Sequence, residues 1–266
     1  MKKYYFFLSI SFLFFSCSED VSKEINTDLG KEAVQFFQLS EAMWESNYLG
    51  NISYQDYFRI SSADLPGCPT IIRSTGSRII ELDYSNPVGC EQENKTPRTG
   101  KIRLDFTLSN TSTPVWTLSF EEYTFGGIKI QGFKQFRNVS FNENQESFEN
   151  ISVELEKNLG FNVSGTLDHS VSRSSFRPFG LSSRGTLEGK NPAGRDFSLV
   201  ITESKEQLFF CFGNGWELPQ IGKESWIVSR GGPGSLEYQV SFNASGACNP
   251  VVISTLPDGR TLQLNP

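Results

Sequence analysis

The chain has 266 residues, with 30 acidic side chains against 24 lysines and arginines, a formal charge of −6 and a single histidine. An acidic balance with no block of basic residues lacks the electrostatic footprint of a nucleic-acid-binding protein. The abundance of Phe and Gly, with only 2 Met, suits a β protein with many turns.

Lys2 and Lys3 precede an apolar run from Tyr4 to Phe15, followed by Ser16, Cys17, Ser18, Glu19 and Asp20. A run of about twelve residues cannot cross a ~30 Å hydrocarbon core as a helix, but it has the length of a signal-peptide apolar segment. With the small Ser16 directly before Cys17, the arrangement resembles the bacterial lipoprotein signal. That resemblance implies diacylglycerol on the Cys17 thiol and cleavage at its amino side. Phe14 stands where such signals most often carry leucine. Aromatic-rich signals ending in Ser-Cys-Ser and followed by acids are similar to those of Bacteroidota lipoproteins, where acids behind the cysteine accompany display on the outer face of the outer membrane. Residues 1–16 are therefore expected to be a signal peptide, and 17–27 a lipidated cysteine with a flexible tether. More than one acyl chain gives firm membrane attachment. Loss of Lys2 and Lys3 with the signal takes the charge to −8.

Residues 28–48 contain the one plausible helix, with Val34, Phe37, Leu39 and Met43 roughly periodic and Asp28 placed to cap it. From about Thr70 onward the pattern is β. Ile102, Leu104, Phe106 and Leu108 alternate with polar residues, as do Leu236, Tyr238, Val240 and Phe242. Shorter alternating runs cover 80–84, 151–155 and 197–201, and turns are expected at Gly126-Gly127, Asn158–Gly160, Asn191–Gly194 and Asp258-Gly259. With no helical segments between strands, the expected fold is all-β. About a dozen strands form an antiparallel meander, as a sandwich, barrel or strongly coiled sheet, behind a short N-terminal helix. The β domain is expected over 49–266. A faint repeat, GSRIIELDYSNPVGC at 76–90 and GSLEYQVSFNASGAC at 234–248, suggests two related halves.

With Cys17 committed to lipid, Cys68, Cys90, Cys211 and Cys248 remain, an even number that in an exported chain reads as two disulfides with three possible pairings. The repeat favours Cys68–Cys90 with Cys211–Cys248. No C-x-x-C pair is present to suggest a metal site.

The segment from Cys68 to the C-terminus resembles a family of uncharacterised Bacteroidota surface lipoproteins. The resemblance rests on Gly89-Cys90, on Arg98-Thr99-Gly100-Lys101-Ile102, on the hairpin EYTFGGIKIQGFKQFRN at 122–138, on Cys211 followed by Trp226-Ile227-Val228-Ser229, and on Cys248 before Gly259-Arg260-Thr261. The stretch 143–194 departs from the family's short hairpin repeats. These motifs are turns, strand starts and cysteines, so the resemblance implies a fold and a location but no catalytic residues.

No constellation in the sequence points to a particular reaction. His169 lacks a G-x-S-x-G nucleophile elbow elsewhere in the chain and reads as a turn or surface residue. Glu121 and Glu122 are strand neighbours expected on opposite faces. One of them, with Asp105, Glu154 or Glu237, could make a glycosidase-like couple. Asp56, Asp64, Asp83 and Asp258 lack the spacing of a calcium loop. The glycines of 213–215 and 231–234 lack the strand-to-helix setting of a phosphate loop and read as loop residues. Trp116 and Trp226 read as core, whereas Trp216 in GNGWELP is the best candidate for an exposed stacking residue. Arg173, Arg177 and Arg184 lie in a stretch able to bind an anion or acidic glycan. No cofactor or metal is expected. The expected role is a non-enzymatic binding or structural module, such as an accessory to glycan or nutrient capture, held on the membrane by its lipid and facing a glycan or surface-protein partner. The alternative is a carboxylate-based hydrolase of extracellular polysaccharide.

Overall fold

A computed structural model describes residues 28–265 apart from 88, 90, 93–95, 111, 175–176 and 233. The signal, Cys17, the tether and Cys90 therefore lie outside the described residues, as does the Arg177 side chain.

Helix α1 (Leu29–Trp44) begins where expected, with the Asp28 side chain accepting hydrogen bonds from the backbone N–H groups of Gly30 and Lys31 at 3.1 Å each. A short α2 (Asn47–Asn51) and two 3₁₀ turns, Asp56–Phe58 and Ser62–Asp64, lead into the sheet. The first strands are β1 (Thr70–Ser74), β2 (Ile79–Asp83), β3 (Arg98–Asp105) and β4 (Val115–Phe125). The long central strands are β5 (Ile128–Ser140), β6 (Glu143–Leu155), β7 (Leu159–Ser174), β8 (Arg177–Lys190) and β9 (Asp196–Leu208). A single turn of helix, α3 (Phe209–Phe212), then precedes β10 (Ile221–Ser229), β11 (Ser235–Asn243), β12 (Val251–Thr255) and β13 (Thr261–Gln263). All 13 strands join in sequence order as one antiparallel meander, and β1 and β13 remain its two edges.

The meander bends because its ladder is repeatedly interrupted. Register shifts occur in every pairing from β3–β4 through β9–β10. An extra residue on one strand bends that strand and increases local twist. Glu122 and Asn150 sit within these shifts at φ of 48° and 52°, and Gly222 occupies another at φ 135°. A Cβ on Gly222 would lie 2.8 Å from the Lys205 Cα, so the bulge there needs glycine.

The coiled sheet wraps α1. Helix residues Ala33, Phe36, Phe37, Leu39, Ala42, Met43 and Trp44 are all buried, because a helix enclosed by a curved sheet is apolar around most of its circumference. The Phe36 ring lies 5.2 Å from Phe197 and 5.5 Å from Phe161, both edge-on, and 5.6 Å from Trp226. Val34 departs from the periodic stripe and is 39% exposed.

Polar clamps along α1 complete the attachment. Glu32 pairs with Arg230 and accepts from the Tyr238 hydroxyl. Ser40 donates to Glu224 at 2.9 Å, and Glu224 takes the Lys205 ammonium at 2.8 Å. Lys134 donates to the Met43 carbonyl at 2.7 Å and to Asn47 at 2.6 Å. Buried ions demand partners of this kind, since an unpaired charge in the interior is strongly destabilising.

Cys211 and Cys248 form a disulfide with Cα atoms 5.5 Å apart. Cys68 is also disulfide-bonded, and Cys90, its expected partner, is outside the described residues. Among the described residues no helix is long and apolar enough to cross a membrane.

Candidate functional site

The connections after β3, β5, β7 and β9 emerge at one end of the sheet, and the segment from α2 to the second 3₁₀ turn crosses this mouth. Two adjoining concavities lie there. The first is a polar groove of about 460 Å³ between the 51–59 segment, the β3–β4 connection, the β5–β6 turn and the end of β7. Three arginines line it. Arg78 lies 4.4 Å over the Tyr54 ring and donates to Ser109 at 2.9 Å. Arg173 donates to Asp56 and to Asn142, each at 3.0 Å. Arg59 is exposed, and its side chain has no ion-pair partner among the described residues. Asn51, Asn110, Asn138, Asn142 and Asn144 supply amides, while Tyr54, Phe106, Trp116 and Phe141 supply rings. Trp116 is held by its indole N–H on the Gly50 carbonyl at 2.8 Å and by stacking on Phe136 at 5.8 Å. Asn144 is oriented by Asn51 at 2.9 Å.

The second concavity, of about 330 Å³, shares Asp56 and Arg59 with the groove but is largely apolar. Tyr48, Ile52, Ile60 and Leu65 form one side, while Pro178, Phe179, Phe209, Phe210 and Phe212 form the other. Phe179 and Phe210 are 47% and 66% exposed at its rim. Asp64 also lines it, with its carboxylate taken up by the Ser61 N–H at 2.7 Å and hydroxyl at 2.8 Å.

A third, smaller cavity of about 90 Å³ lies over α1, where Thr96 and Phe125 near one edge of the sheet approach Gly215–Pro219 and Phe242 near the other. Trp216 lines it together with Glu41, Glu45 and Glu217. Arg98 Nη2 lies 2.7 Å from Glu217 and 3.6 Å from Glu45, tying β3 to the loop before β10 across the open side of the sheet. Tyr123 donates to Glu45 at 3.0 Å. Burial pushes the Glu45 carboxyl up to about 7, with Arg98 opposing and Glu217 adding to the shift. Glu41 is also pushed up to about 7, by burial first and then by Glu217, against the pull of Lys205. Lys205 is itself lowered to about 8 by burial, despite Glu224 beside it.

His169 is not a turn or surface residue. It is 2% exposed, between Ser183 on Nδ1 at 2.8 Å and Glu146 on Nε2 at 2.9 Å. Adjacent strands β6, β7 and β8 present these three side chains, and Glu146 also pairs with Lys134 at 3.1 Å. Although Ser, His and Glu are in a row, Ser183 is 2% exposed and Glu146 wholly buried, so no substrate carbonyl can reach the hydroxyl. Burial raises the Glu146 carboxyl, but Lys134 and His169 outweigh it and hold the group below its ordinary value. The row belongs to the clamp beneath α1.

The carboxylates singled out from the sequence do not converge on any of these cavities. Asp105 is bonded to Thr107 at 2.5 Å, Glu237 accepts from Ser225 at 2.8 Å, and Glu154 faces Lys129 across the β5–β6 ladder. Glu121 and Glu122 are both exposed. The bulge at Glu122 defeats the strand alternation expected there. Arg184 donates to Ser204 at 3.3 Å and lines neither mouth concavity. Among the described residues no group of three or more His, Cys, Asp or Glu side chains could hold a metal ion.

No family model, curated protein or solved structure matches this chain. Arg173 is the candidate from the sequence that reaches the groove, and Trp216 belongs to the acid-lined cavity instead. The α2–3₁₀ segment, with Tyr54 and Arg59, was missed because its residues carry no periodic signal.

Proposed function

We propose that this chain is a non-enzymatic binding module, lipidated at Cys17 and displayed on the outer face of a Bacteroidota-type outer membrane, where it captures an acidic saccharide. The observation that carries the reading is the groove at the mouth of the sheet. There three guanidinium groups meet one carboxylate, Asp56, beside five asparagines and four aromatic rings. Guanidinium groups recognise carboxylates and sulfates through paired N–H donors. Amides and ring faces suit sugar hydroxyls and the apolar faces of pyranose rings. The acid-lined cavity supports the hydrolase reading less well. At about 90 Å³ it has room for a few waters, each taking ~30 Å³ in the liquid, and no room for a sugar ring.

The test is a screen of acidic and neutral oligosaccharides against the chain from Ser18 onward, which keeps every residue of the fold, with binding and hydrolysis read together. Acidic oligosaccharides should bind without turnover, and Arg173→Gln should weaken that binding at least tenfold. Turnover, or equal binding of neutral and acidic glycans, would remove the proposal.

A further inference from the structure

We infer that the ligand of this mouth is an acylated anionic saccharide, with its sugar in the arginine groove and its acyl chain in the adjoining cavity. The inference rests on the saccharide reading above and adds a second, apolar half to the ligand. Three observations support it. The two concavities adjoin, because Asp56 and Arg59 line both. The inner one is a concave space of about 330 Å³ with apolar walls from Ile52, Ile60, Phe209 and Phe212. At ~30 Å³ per water, and with a methylene about as large as a water, that space admits a chain of up to roughly eleven carbons. Finally, Arg59 stands exposed at the junction with no ion-pair partner among the described residues. A cation at the lip of an apolar cavity matches a ligand in which an anionic sugar is joined to a hydrocarbon chain.

Charge and volume together select this occupant. A neutral hydrocarbon would leave Arg59 without a partner, and a simple acidic sugar would leave the phenylalanine walls wet. Of the acids nearby, Asp56 is paired with Arg173 at 3.0 Å, and Asp64 is turned to Ser61 and makes no ion pair with Arg59 among the described residues. The disulfide between Cys211 and Cys248 secures the segment that carries Phe209, Phe210 and Phe212, so the wall is preformed, which lowers the cost of binding.

The experiment uses the chain from Ser18 onward and calorimetry with octyl β-D-glucuronide, octyl β-D-glucoside and glucuronate, each below its micelle concentration. Octyl glucuronide should bind at least 30-fold more tightly than glucuronate and at least tenfold more tightly than octyl glucoside. Arg59→Gln should reduce the preference for glucuronide over glucoside, the remainder coming from Arg173, and an unchanged preference would overturn the role given to Arg59. Phe210→Ser, at a rim position that is 66% exposed, should reduce the advantage of the octyl chain without adding a charge beside Arg59. If acidic sugars bind in an Arg173-dependent manner but the octyl chain adds nothing, the acyl inference falls and the saccharide reading stands. Equal binding of the two octyl glycosides overturns the anionic half of the inference. Absence of binding by all three probes and by acidic oligosaccharides overturns both.

Discussion

Glu41 and Glu45 show how the interior around α1 shapes single residues. Both carboxyls are pushed up to about 7, so between the ordinary value near 4.5 and about 7 the folded chain retains protons that the unfolded chain has released. Folding stability must then fall as pH rises through this window. The melting temperature is expected to be lower at pH 8 than at pH 5.5, and Glu41→Gln, which removes one of three carboxyls raised by burial, Glu217 being the third, should reduce the difference. A flat profile for the parent chain would refute this. Gly50 is a second instance. A Cβ there would lie 2.1 Å from the Phe136 ring, and the Gly50 carbonyl holds the Trp116 indole. Gly50→Ala is expected to cost about 1–3 kcal/mol through overpacking, measurable by urea unfolding, and to displace Trp116 from the groove.

At the level of elements, α1 is held by clamps that each join it to a different strand. The row Lys134, Glu146, His169 and Ser183 supports its last turn through the Met43 carbonyl. Lys134→Met leaves Glu146 buried with half its partners, and breaking a buried pair in this way costs ~3–5 kcal/mol. The double variant Lys134→Met with Glu146→Leu should recover part of that loss. If the single variant unfolds at the same denaturant concentration as the parent, the row is not a clamp. The Cys211–Cys248 bond closes a loop across 37 positions, worth about 4 kcal/mol in the chain-entropy description. Cys211→Ser should lower stability by up to that amount and speed amide exchange across 209–220, the segment that lines both the apolar and the acid-lined cavities.

For the whole molecule, an open sheet coiled around its own leading helix leaves one end available as a mouth. Cys17→Ala is expected to abolish acyl labelling and release the protein from membranes; continued labelling would remove the lipoprotein proposal. Much of this architecture was legible in advance. Alternation marked β2, β3, β6, β9 and β11, glycine-rich pairs marked the turns, and Asp28 marked the start of α1. The coil was not legible, because it comes from bulges such as those at Glu122 and Gly222, where a single added residue leaves no trace in an alternating pattern. His169 was misplaced for a related reason: its burial depends on Glu146 and Ser183 from neighbouring strands, whose registers only the folded sheet sets.

Local patterning alone determined the all-β class, the order of strands along a meander and the leading helix, because periodicity, caps and turn residues act over a few positions. The tertiary structure decided what surrounds α1, which acids are pressed together around Arg98, and which residues share the mouth. Asp56, Arg59, Arg173 and Phe210 are separated by up to 154 positions in the chain and meet only because successive bulges curl 13 strands around one helix. That curvature is a sum of small, long-range packing choices, and it is what turns scattered arginines and phenylalanines into a two-part site.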